Sequence, residues 1–338
     1  MNSQVMAYPL VSVVIPAYNG ETRIAYTLKS IIAQDYPNIE IIVVNDASTD
    51  ATREIARCIL EGSGRPFLII NHDENRGETA SRNTGLDAAK GEYIWFIDAD
   101  DMAEKNLVST LYALIGKYRC DFSFCGLKDR FDDGQPDVLF PIQLGAPEVI
   151  SGGELVWLRV FNKIVPHVCG MLFRKKFLLE TEIRFYEGCI AGGDVEFQLK
   201  CLCRAEKATF TSECLYIYVH HAGMGSIRDN NTREKELHRY RDNTDAQLRV
   251  AAYLSEHAPS VRIKELADKL LLPQALIRRL TLCSMTDDRA RFDALLSETS
   301  TQRALSESKK FSLQKPEVYL KAFALLHFPG LYYRLRRR

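Results

Sequence analysis

Five consecutive apolar or aromatic residues, 93–97, run directly into three aspartates, Asp98, Asp100 and Asp101. A strand with one face in water alternates apolar and polar residues, whereas this segment is apolar throughout. We therefore predict that it lies inside a sheet that helices cover on both faces. Open sheets of this kind bind ligands at the carboxyl ends of their strands, which is where the three aspartates stand.

The three carboxylates favour a bound cation. Carboxylates this close repel one another unless a positive charge lies between them. Hard oxygen ligands suit Mg²⁺ or Mn²⁺, and an ion held by one or two carboxylates keeps positions free for phosphate oxygens. The alternative is an acidic turn between strand and helix that caps the helix predicted near Glu104.

Two earlier segments follow the same order of apolar strand, polar turn and helix. Residues 11–15 lead to the turn 17–21, and residues 41–44 lead to the turn 45–50. Two strands joined by one helix form a right-handed βαβ unit, so both turns open on the same edge of a parallel sheet. This spacing indicates a nucleotide site at that edge. Further strands are predicted at residues 67–70, 122–125, 170–174 and 215–219.

The second half of the chain has fewer polar turns and then becomes helical. Gly192 and Gly193 allow a tight turn that presents Asp194 at the start of a helix. After residue 230 glycine nearly disappears. Helices are predicted there at residues 234–255, 261–282, 288–296 and 316–326. We predict two domains, residues 1–228 with the sheet and residues 229–338 with the C-terminal helices.

Composition narrows the class of protein. With 338 residues the chain is long enough for a large α/β domain and a smaller helical one. Its 44 lysines and arginines balance 44 aspartates and glutamates, which argues against a nucleic-acid partner. Nine cysteines without metal-binding spacing predict reduced, mostly buried thiols. The sequence has no apolar run of bilayer length and no signal-peptide pattern, so we expect a cytoplasmic catalytic face.

Residues 328–338 are aromatic and then basic, with arginines at 334 and 336–338. Such a segment suits an anionic membrane surface, at about 1 kcal/mol per basic residue, so peripheral and reversible contact with the inner membrane is one expectation. A solvated terminus is the other. The helical pattern leaves open whether the C-terminal helices bind acceptor, membrane or a second subunit, and so whether the protein is an oligomer.

Four segments together resemble the family 2 glycosyltransferases in order and spacing. They are VSVVIPAYN at 11–19, VVNDASTD at 43–50, ASRNTG at 80–85 and GEYIWFIDADD at 91–101. The resemblance covers roughly residues 1–220. It implies the GT-A fold, a Rossmann-like, mixed and mainly parallel sheet flanked by helices, here with a C-terminal helical region. It also implies an inverting mechanism and a nucleotide-diphosphate sugar donor, most often a UDP-sugar.

The resemblance implies roles for individual residues at the nucleotide. The wall of the nucleobase pocket matches Pro16, Ala17, Tyr18 and Glu21. Asp46 matches the carboxylate that accepts a hydrogen bond from the base, although the family usually has two aspartates where this chain has Asn45 and Asp46. Arg82 matches a basic residue near the nucleotide, and its alternative is a salt bridge across the strand–helix edge. The aspartate segment supplies the remaining matches: Asp98 facing the ribose, Ala99 beside the sugar nucleotide, Asp100 as metal ligand and Asp101 sharing or capping that metal.

The resemblance also implies a catalytic base and further metal contacts. Asp194 resembles the base, and Gly193 replaces the glutamate that usually precedes it, which puts the nearby acceptor contact in question. Glu196 is the alternative base. His220 or His221 lies where many relatives place a third metal ligand or a donor to the diphosphate; the alternative is an ordinary pair of loop histidines. Residues 167–174 correspond to an acceptor-side segment, with methionine at 171 where relatives often carry lysine.

The resulting hypothesis is a metal-dependent, inverting hexosyltransferase of capsule, lipopolysaccharide or other surface-polysaccharide synthesis. It would use a UDP-sugar and a saccharide or lipid-linked acceptor. A catalytically inactive nucleotide-sugar-binding scaffold protein is the alternative, and the joint presence of Asp46, Asp98, Asp100 and Asp194 argues against it. A nucleotidyltransferase would need a glycine-rich basic phosphate loop, whereas residues 17–21 contain one glycine and no lysine.

Overall fold

The computed structural model describes residues 8–144, 149–221 and 232–336, which form two compact units. The first unit is drawn from Met1–Glu154, Asn162–Gly188 and Ala205–Arg228, and the second from Leu155–Phe161, Cys189–Arg204 and Asp229–Arg338. The boundary predicted after residue 228 lies outside the described residues, as do Arg337 and Arg338. The division into domains 1–228 and 229–338 stays a prediction. In the structure, two earlier segments cluster with the C-terminal helices.

The first unit contains a mixed sheet of nine described strands. In chain order the strands are β1 (Val11–Ala17), β2 (Ile39–Asn45), β3 (Phe67–Asn71), β4 (Tyr93–Phe96), β5 (Met102–Ala103), β6 (Phe122–Phe131), β7 (Val138–Phe140), β8 (Met171–Arg174) and β9 (Ala208–His220). Their spatial order is β3-β2-β1-β4-β8-β6-β9-β5, and β7 pairs with β6. β3, β2, β1 and β4 run parallel, whereas β8 is antiparallel to both its neighbours. Each strand predicted from the sequence is therefore present.

The central strands of the sheet are buried on both faces. Every residue of β1 and β4 is buried. Successive side chains of a strand point to opposite faces, so both faces of these strands are covered. The interior position predicted for residues 93–97 is confirmed, because β4 lies between β1 and β8.

Seven described helices precede residue 205. They are α1 (Ile24–Ile32), α2 (Thr52–Glu61), α3 (Glu78–Ala88), α4 (Leu107–Tyr118), α5 (Gly152–Val160), α6 (Lys175–Glu180) and α7 (Gly193–Arg204). Helix α3 packs closely on β1, since a Cβ added at Gly85 would lie 2.3 Å from Val14 Cγ1. This close packing fixes the position of Arg82, one turn earlier on the same helix.

The C-terminal part of the second unit is helical. Its helices are α8 (Arg233–Glu256), α9 (Val261–Leu266), α10 (Leu272–Met285), α11 (Arg289–Ser297), α12 (Thr299–Glu307), α13 (Pro316–His327) and α14 (Pro329–Arg336). The sequence predicts one helix over 261–282, and the chain is helical throughout that range. A π-helical turn, Ala267–Leu271, separates α9 from α10. Pro273 follows it and has no N–H to donate to the preceding turn, so the backbone widens there.

Two tyrosines near the end of the chain are part of the core of the second unit. Tyr332 and Tyr333, on α14, are buried. The Tyr332 hydroxyl lies 2.8 Å from that of Thr281, and the Tyr333 hydroxyl donates to Asp287 at 3.0 Å. These tyrosines are therefore unavailable to a membrane surface. No described helix is both long and apolar enough to cross a bilayer.

Candidate active site

Four parallel strands end at one edge of the sheet. Ala17, at the end of β1, pairs with Asn45 at the end of β2, which pairs with Asn71 at the end of β3. β4 lies beside β1 and ends at Phe96, just before the aspartate segment. The polar turns after β1, β2 and β4 therefore meet at this edge.

Asp98 is held by Arg82, whose side chain is fully buried on α3. Arg82 Nη2 lies 2.6 Å from Asp98 Oδ1, and Arg82 also pairs with Glu78. Burial would raise the pKa of Asp98, but the charge of Arg82, aided by His167, outweighs it and keeps that pKa below its usual value. The structure thus contains the salt bridge that the sequence offered as an alternative. A contact of Arg82 with a nucleotide stays a prediction.

Asp100 is the most open of the three aspartates, with 32% of its side chain exposed. Burial, reinforced by the charge of Asp98, raises the pKa of Asp100. Arg23 opposes this rise from 3.7 Å, measured between its Nη1 and Asp100 Oδ2. Asp100 therefore presents a carboxylate that a nearby cation would stabilise. Ala99, between the two aspartates, is half-buried.

Asp101 is buried and points into the protein. Its carboxylate accepts hydrogen bonds from the Tyr216 hydroxyl and, at 2.9 Å, from the Val219 backbone N–H, so it joins the turn to β9. Burial and the charge of Asp98 raise the pKa of Asp101 to about 8. The helix-capping alternative does not apply, because α4 begins after Asn106 without a side-chain cap. A metal role for Asp101 stays a prediction and would compete with these two hydrogen bonds.

The two histidines after β9 lie in different surroundings, and His221 is the one beside the aspartates. Its Nε2 lies 3.1 Å from the backbone oxygen of Asp100, and its Nδ1 lies 3.1 Å from Asp132 Oδ2. His220 instead stacks on Phe131, with ring centroids 4.6 Å apart, and contacts Asp129. The sequence left this choice open, since adjacent residues gave no reason to prefer one.

A pocket of about 500 Å³ adjoins Asp100. Charged and aromatic side chains line it, among them Arg23, Tyr26, Arg130, Asp132 and His221. Sequence reasoning missed Arg23, although it directly follows the polar turn after β1. It also missed Tyr216, the partner of Asp101, because nothing in an apolar strand signals a contact with a turn more than a hundred residues away.

Asp46 fixes the loop that follows β3. Its Oδ1 accepts from the Arg76 N–H at 2.9 Å and lies 2.7 Å from His72 Nδ1, and its Oδ2 accepts from the Gly77 N–H at 2.8 Å. Gly77 has φ +87°, which favours glycine at that position. A carboxylate has about four acceptor positions, so these contacts leave one on Oδ2. A hydrogen bond to a nucleobase stays a prediction.

The turn after β1 is tied to the turn after β2. Pro16 and Ala17 are buried in β1, whereas Tyr18 is exposed. The Glu21 carboxylate accepts a hydrogen bond from the Ala51 N–H at 3.0 Å, at the start of α2, and the Glu21 N–H donates to Asp50 at 3.0 Å. Glu21 therefore links the turn after β1 to the turn after β2. A wall for a nucleobase formed by Pro16, Ala17, Tyr18 and Glu21 stays a prediction.

The two candidate bases lie on the first turn of α7, in the second unit. Asp194 is half-buried, and Gly192 before it has φ +87°. Glu196 is buried and accepts two hydrogen bonds from Arg249, at 2.9 and 2.7 Å, and one from Lys200 at 2.6 Å. Two cations occupy the Glu196 carboxylate, which makes Glu196 the weaker candidate for the base. The role of Asp194 stays a prediction.

The acceptor-side segment contributes buried groups. Met171 begins β8 and is buried. Trp95 Nε1 donates to the Cys169 carbonyl at 2.7 Å, and His167 stacks on Tyr216 with ring centroids 4.9 Å apart. These contacts anchor residues 167–171 against β4 and β9. An acceptor contact in this segment stays a prediction.

A hard divalent cation at Asp100 would have to take most of its ligands from outside the chain. Asp100 supplies an open carboxylate, and His221 and Asp132 line the same pocket. Within residues 8–144, 149–221 and 232–336, no group of three or more His, Cys, Asp or Glu side chains is arranged to hold a metal ion. Phosphate oxygens and water would have to complete the coordination, as is usual for Mg²⁺.

Residues 12–180, half of the chain, match the family described as Glycosyl transferase family 2. Among similar proteins, the uncharacterized glycosyltransferase EpsJ of Bacillus subtilis (strain 168) is 32% identical over 213 residues, which cover 62% of this chain and 61% of that protein. Glycosyltransferase GlyA of Streptococcus pneumoniae serotype 4 is 45% identical over 224 residues, which cover 62% of this chain and 30% of that protein. The chain thus spans less than two thirds of the length of either relative.

The fold has solved counterparts. The structure of S. aureus TarS 1–349 in complex with UDP-GlcNAc matches with a TM-score of 0.65, over 97% of this chain and 88% of that one, at 21% sequence identity. A likeness at this identity concerns the fold. The predicted α/β fold with a mixed sheet and a C-terminal helical region is confirmed.

Proposed function

Since the chain belongs to Glycosyl transferase family 2, we propose that it transfers a sugar from a UDP-sugar to a hydroxyl of a saccharide or lipid-linked acceptor. The observation that carries the proposal is the meeting of the polar turns after β1, β2 and β4 at one edge, with Asp46, Asp98 and Asp100 on them. Structures of TarS hold UDP-GlcNAc and UDP. That this chain also binds UDP is part of the proposal.

The nucleobase is placed beside Pro16, Ala17 and Tyr18. Asp46 offers it one remaining acceptor position, and a carboxylate acceptor suits the N3–H of uracil. The contacts of Asp46 with the Arg76 and Gly77 N–H groups hold the carboxylate in one orientation. The base therefore meets a fixed acceptor, which lowers the entropy cost of binding.

Asp98 is the proposed partner of the ribose, with Ala99 beside the sugar nucleotide. Ribose hydroxyls are donors, and Asp98 is an ionised acceptor because Arg82 holds it so. Arg82 acts through Asp98 and so is a positioning residue. Its complete burial keeps that orientation when the nucleotide leaves.

Asp100 is the proposed holder of Mg²⁺ or Mn²⁺, with His221 beside it. When bound, such a cation neutralises the leaving diphosphate as a Lewis acid. Asp100 is suited to this because its own pKa is raised by burial and by Asp98, both of which a cation offsets. Arg23 Nη1 lies 3.7 Å from Asp100 Oδ2 and would supply a second positive charge near the diphosphate.

Asp194 is the proposed general base of an inverting transfer. It would take the proton of the acceptor hydroxyl as that oxygen attacks the sugar from the face opposite the diphosphate. One protein carboxylate is enough, because the leaving group is neutralised by charge and needs no acid to protonate it. Glu196 is a weaker candidate, since Arg249 and Lys200 occupy its carboxylate.

We place the reaction in bacterial surface-polysaccharide synthesis, at the cytoplasmic face of the inner membrane. The support is that similar proteins include the putative teichuronic acid biosynthesis glycosyltransferase TuaG of Bacillus subtilis (strain 168), together with the basic residues near the end of the chain. Capsule and lipopolysaccharide are both compatible products. An oligomer is compatible with the helical second unit.

The proposal is tested by thermal unfolding with a panel of UDP-sugars, each with and without Mn²⁺. A ligand that binds the folded state raises Tm, by an amount that grows with its concentration over Kd. We expect at least one UDP-sugar to raise Tm, and to do so more strongly with the cation. If no nucleotide sugar of any kind raises Tm, the assignment fails.

The inactive-scaffold alternative is tested by donor hydrolysis without acceptor. Its one supporting feature is Gly193 in place of the family's usual glutamate. An active transferase is expected to release UDP slowly from its donor when Mn²⁺ is present, because water can replace the acceptor hydroxyl. A protein that binds the donor yet never releases UDP, with any acceptor offered, would be the scaffold.

A further inference from the structure

Helices α13 and α14 carry exposed apolar side chains on the sides that face away from their buried residues. They are Leu320, Phe323, Phe328, Leu331 and Leu335, which are 62%, 42%, 56%, 59% and 68% exposed. We call these five residues the α13–α14 face. The Phe323 ring lies 6.3 Å from that of Phe328 and 4.3 Å from that of His327, measured between centroids, so the aromatic part is contiguous across the helix junction. Scattered exposed apolar residues are ordinary, but contiguous ones mark interaction sites.

The packing of the two helices fixes this face outward. Val318, Ala322 and Leu325 are the buried stripe of α13, and Tyr332 and Tyr333 are buried on α14. The exposed residues of the face lie on the sides of the two helices that are turned away from these buried residues. Within each helix they are three or four residues apart, as residues on one side of a helix are. The face is therefore a rigid surface of the second unit.

The charged residues of the two helices are basic except for Glu317, which lies one turn before Leu320. After Glu317 the sequence contains no aspartate or glutamate, whereas it contains Lys321, Arg334 and Arg336–Arg338. Lys321 and Arg334 are exposed and adjoin Leu320 and Leu335 along the chain. The chain as a whole is neutral, so this concentration of positive charge is local.

We propose that the α13–α14 face docks on an anionic lipid bilayer, with the five apolar side chains entering the headgroup region and the basic residues pairing with lipid phosphates. Apolar residues interleaved with cations are typical of helices that lie in a membrane interface. The core of a protein interface is instead depleted of lysine. This proposal rests on the membrane location given under the proposed function and adds the surface that makes the contact. Its test measures vesicle binding and not sugar transfer, so the docking proposal and the transferase proposal can fail independently.

The test is co-sedimentation of the full chain with phosphatidylcholine vesicles, with and without phosphatidylglycerol. We expect binding to the anionic vesicles, little binding to the neutral ones, and weakening by salt. Phe323→Ser with Leu331→Ser removes apolar anchors and is expected to reduce binding by at least roughly tenfold. Lys321→Gln with Arg334→Gln is expected to reduce it by roughly fivefold per cation.

Matched controls separate the face from general effects. Val261→Ser removes an apolar side chain of the same unit that is 76% exposed, and Lys176→Gln removes an exposed cation of the first unit. Both are expected to leave vesicle binding unchanged. All variants are expected to keep a cooperative thermal transition, with a lower Tm where Phe323 is replaced because its ring contacts His327 and Phe328. The proposal is overturned if the wild type ignores anionic vesicles, or if the face variants bind them as well as the wild type. It is also overturned if light scattering shows a dimer that the face variants dissociate while vesicle binding persists.

Discussion

Three aspartates within four positions of sequence have three different environments, and their partners decide what each can do. Asp98 faces Arg82 and stays ionised, Asp100 is open beside Arg23, and Asp101 is buried against Tyr216. Sequence reasoning could predict that such carboxylates stand at a ligand-binding edge, because that follows from strand order. It could not separate their roles, because each partner comes from a distant part of the chain.

Asp194 and Glu196 provide a residue-scale prediction on a single turn of helix. Asp194→Asn is expected to lower transfer by about 10²- to 10⁴-fold, the usual contribution of a general base. Its Tm and UDP affinity are expected to stay close to the wild-type values. The measurement is turnover with donor and acceptor, together with calorimetric UDP binding.

Glu196→Gln is the matched comparison and is expected to act on stability. It weakens the contacts with Arg249 and Lys200, at a cost of roughly 1–3 kcal/mol in the free energy of unfolding, since both cations are partly exposed. Urea unfolding measures this cost. Wild-type turnover in the Asp194 variant would assign the base elsewhere.

At the scale of elements, α3 packs on β1 with no room for a side chain at Gly85. Gly85→Ala places a methyl group 2.3 Å from Val14 Cγ1, so the helix or the strand must move. We expect a loss of about 1–3 kcal/mol in the free energy of unfolding. UDP affinity is expected to fall as well, because α3 carries Arg82, which holds Asp98.

Gly116→Ala is the control for this prediction. Gly116 also lies within a helix, α4, but nothing stands within 4 Å of an added Cβ. Its replacement is expected to stabilise the protein by about 0.5–1 kcal/mol, the difference in helix propensity. Equal effects of the two substitutions in urea unfolding would refute the close-packing explanation.

Elements were predictable where periodicity is local, and less so where a single residue interrupts it. The strands over 11–15, 41–44 and 93–97 follow from their apolar runs. The π-helical turn within the helix predicted over 261–282 does not, because apolar periodicity continues through Ala267–Leu271. Pro273 was the available signal, since a proline inside a helical pattern commonly kinks or ends the helix.

At the scale of the whole molecule, the burial of the cysteines shows how tightly the chain is packed. Cys58 is exposed, while the other eight, all within the described residues, are buried or half-buried. Burial raises the pKa of Cys203 to about 11 and that of Cys125 to about 12, so these thiols stay protonated at neutral pH.

We therefore expect one fast thiol when the native protein meets a disulfide reagent such as DTNB at neutral pH. Cys58→Ser is expected to remove the fast phase, and denaturant to expose the rest of the nine. Two or more fast thiols in the native protein would show that the packing around the half-buried cysteines is wrong.

The two-unit organisation shows the limit of reading a chain in order. The change to helical composition after residue 230 was visible in the sequence. That Cys189–Arg204, which carries Asp194, clusters with the later helices was not, because this grouping depends on long-range contacts such as Glu196 with Arg249. Similarly, the aromatic residues at 332 and 333 gave no local sign that they are buried.

The central claim is that Asp100 binds a cation that in turn holds the nucleotide diphosphate, and the most direct test is calorimetric titration of UDP with and without Mn²⁺. For the wild type we predict that Mn²⁺ tightens UDP binding. For Asp100→Asn we predict that this gain falls by at least about tenfold, while Asp35→Asn, an exposed aspartate elsewhere in the first unit, keeps it. UDP binding that is indifferent to Mn²⁺ in the wild type, or a gain that survives intact in Asp100→Asn, would contradict the account.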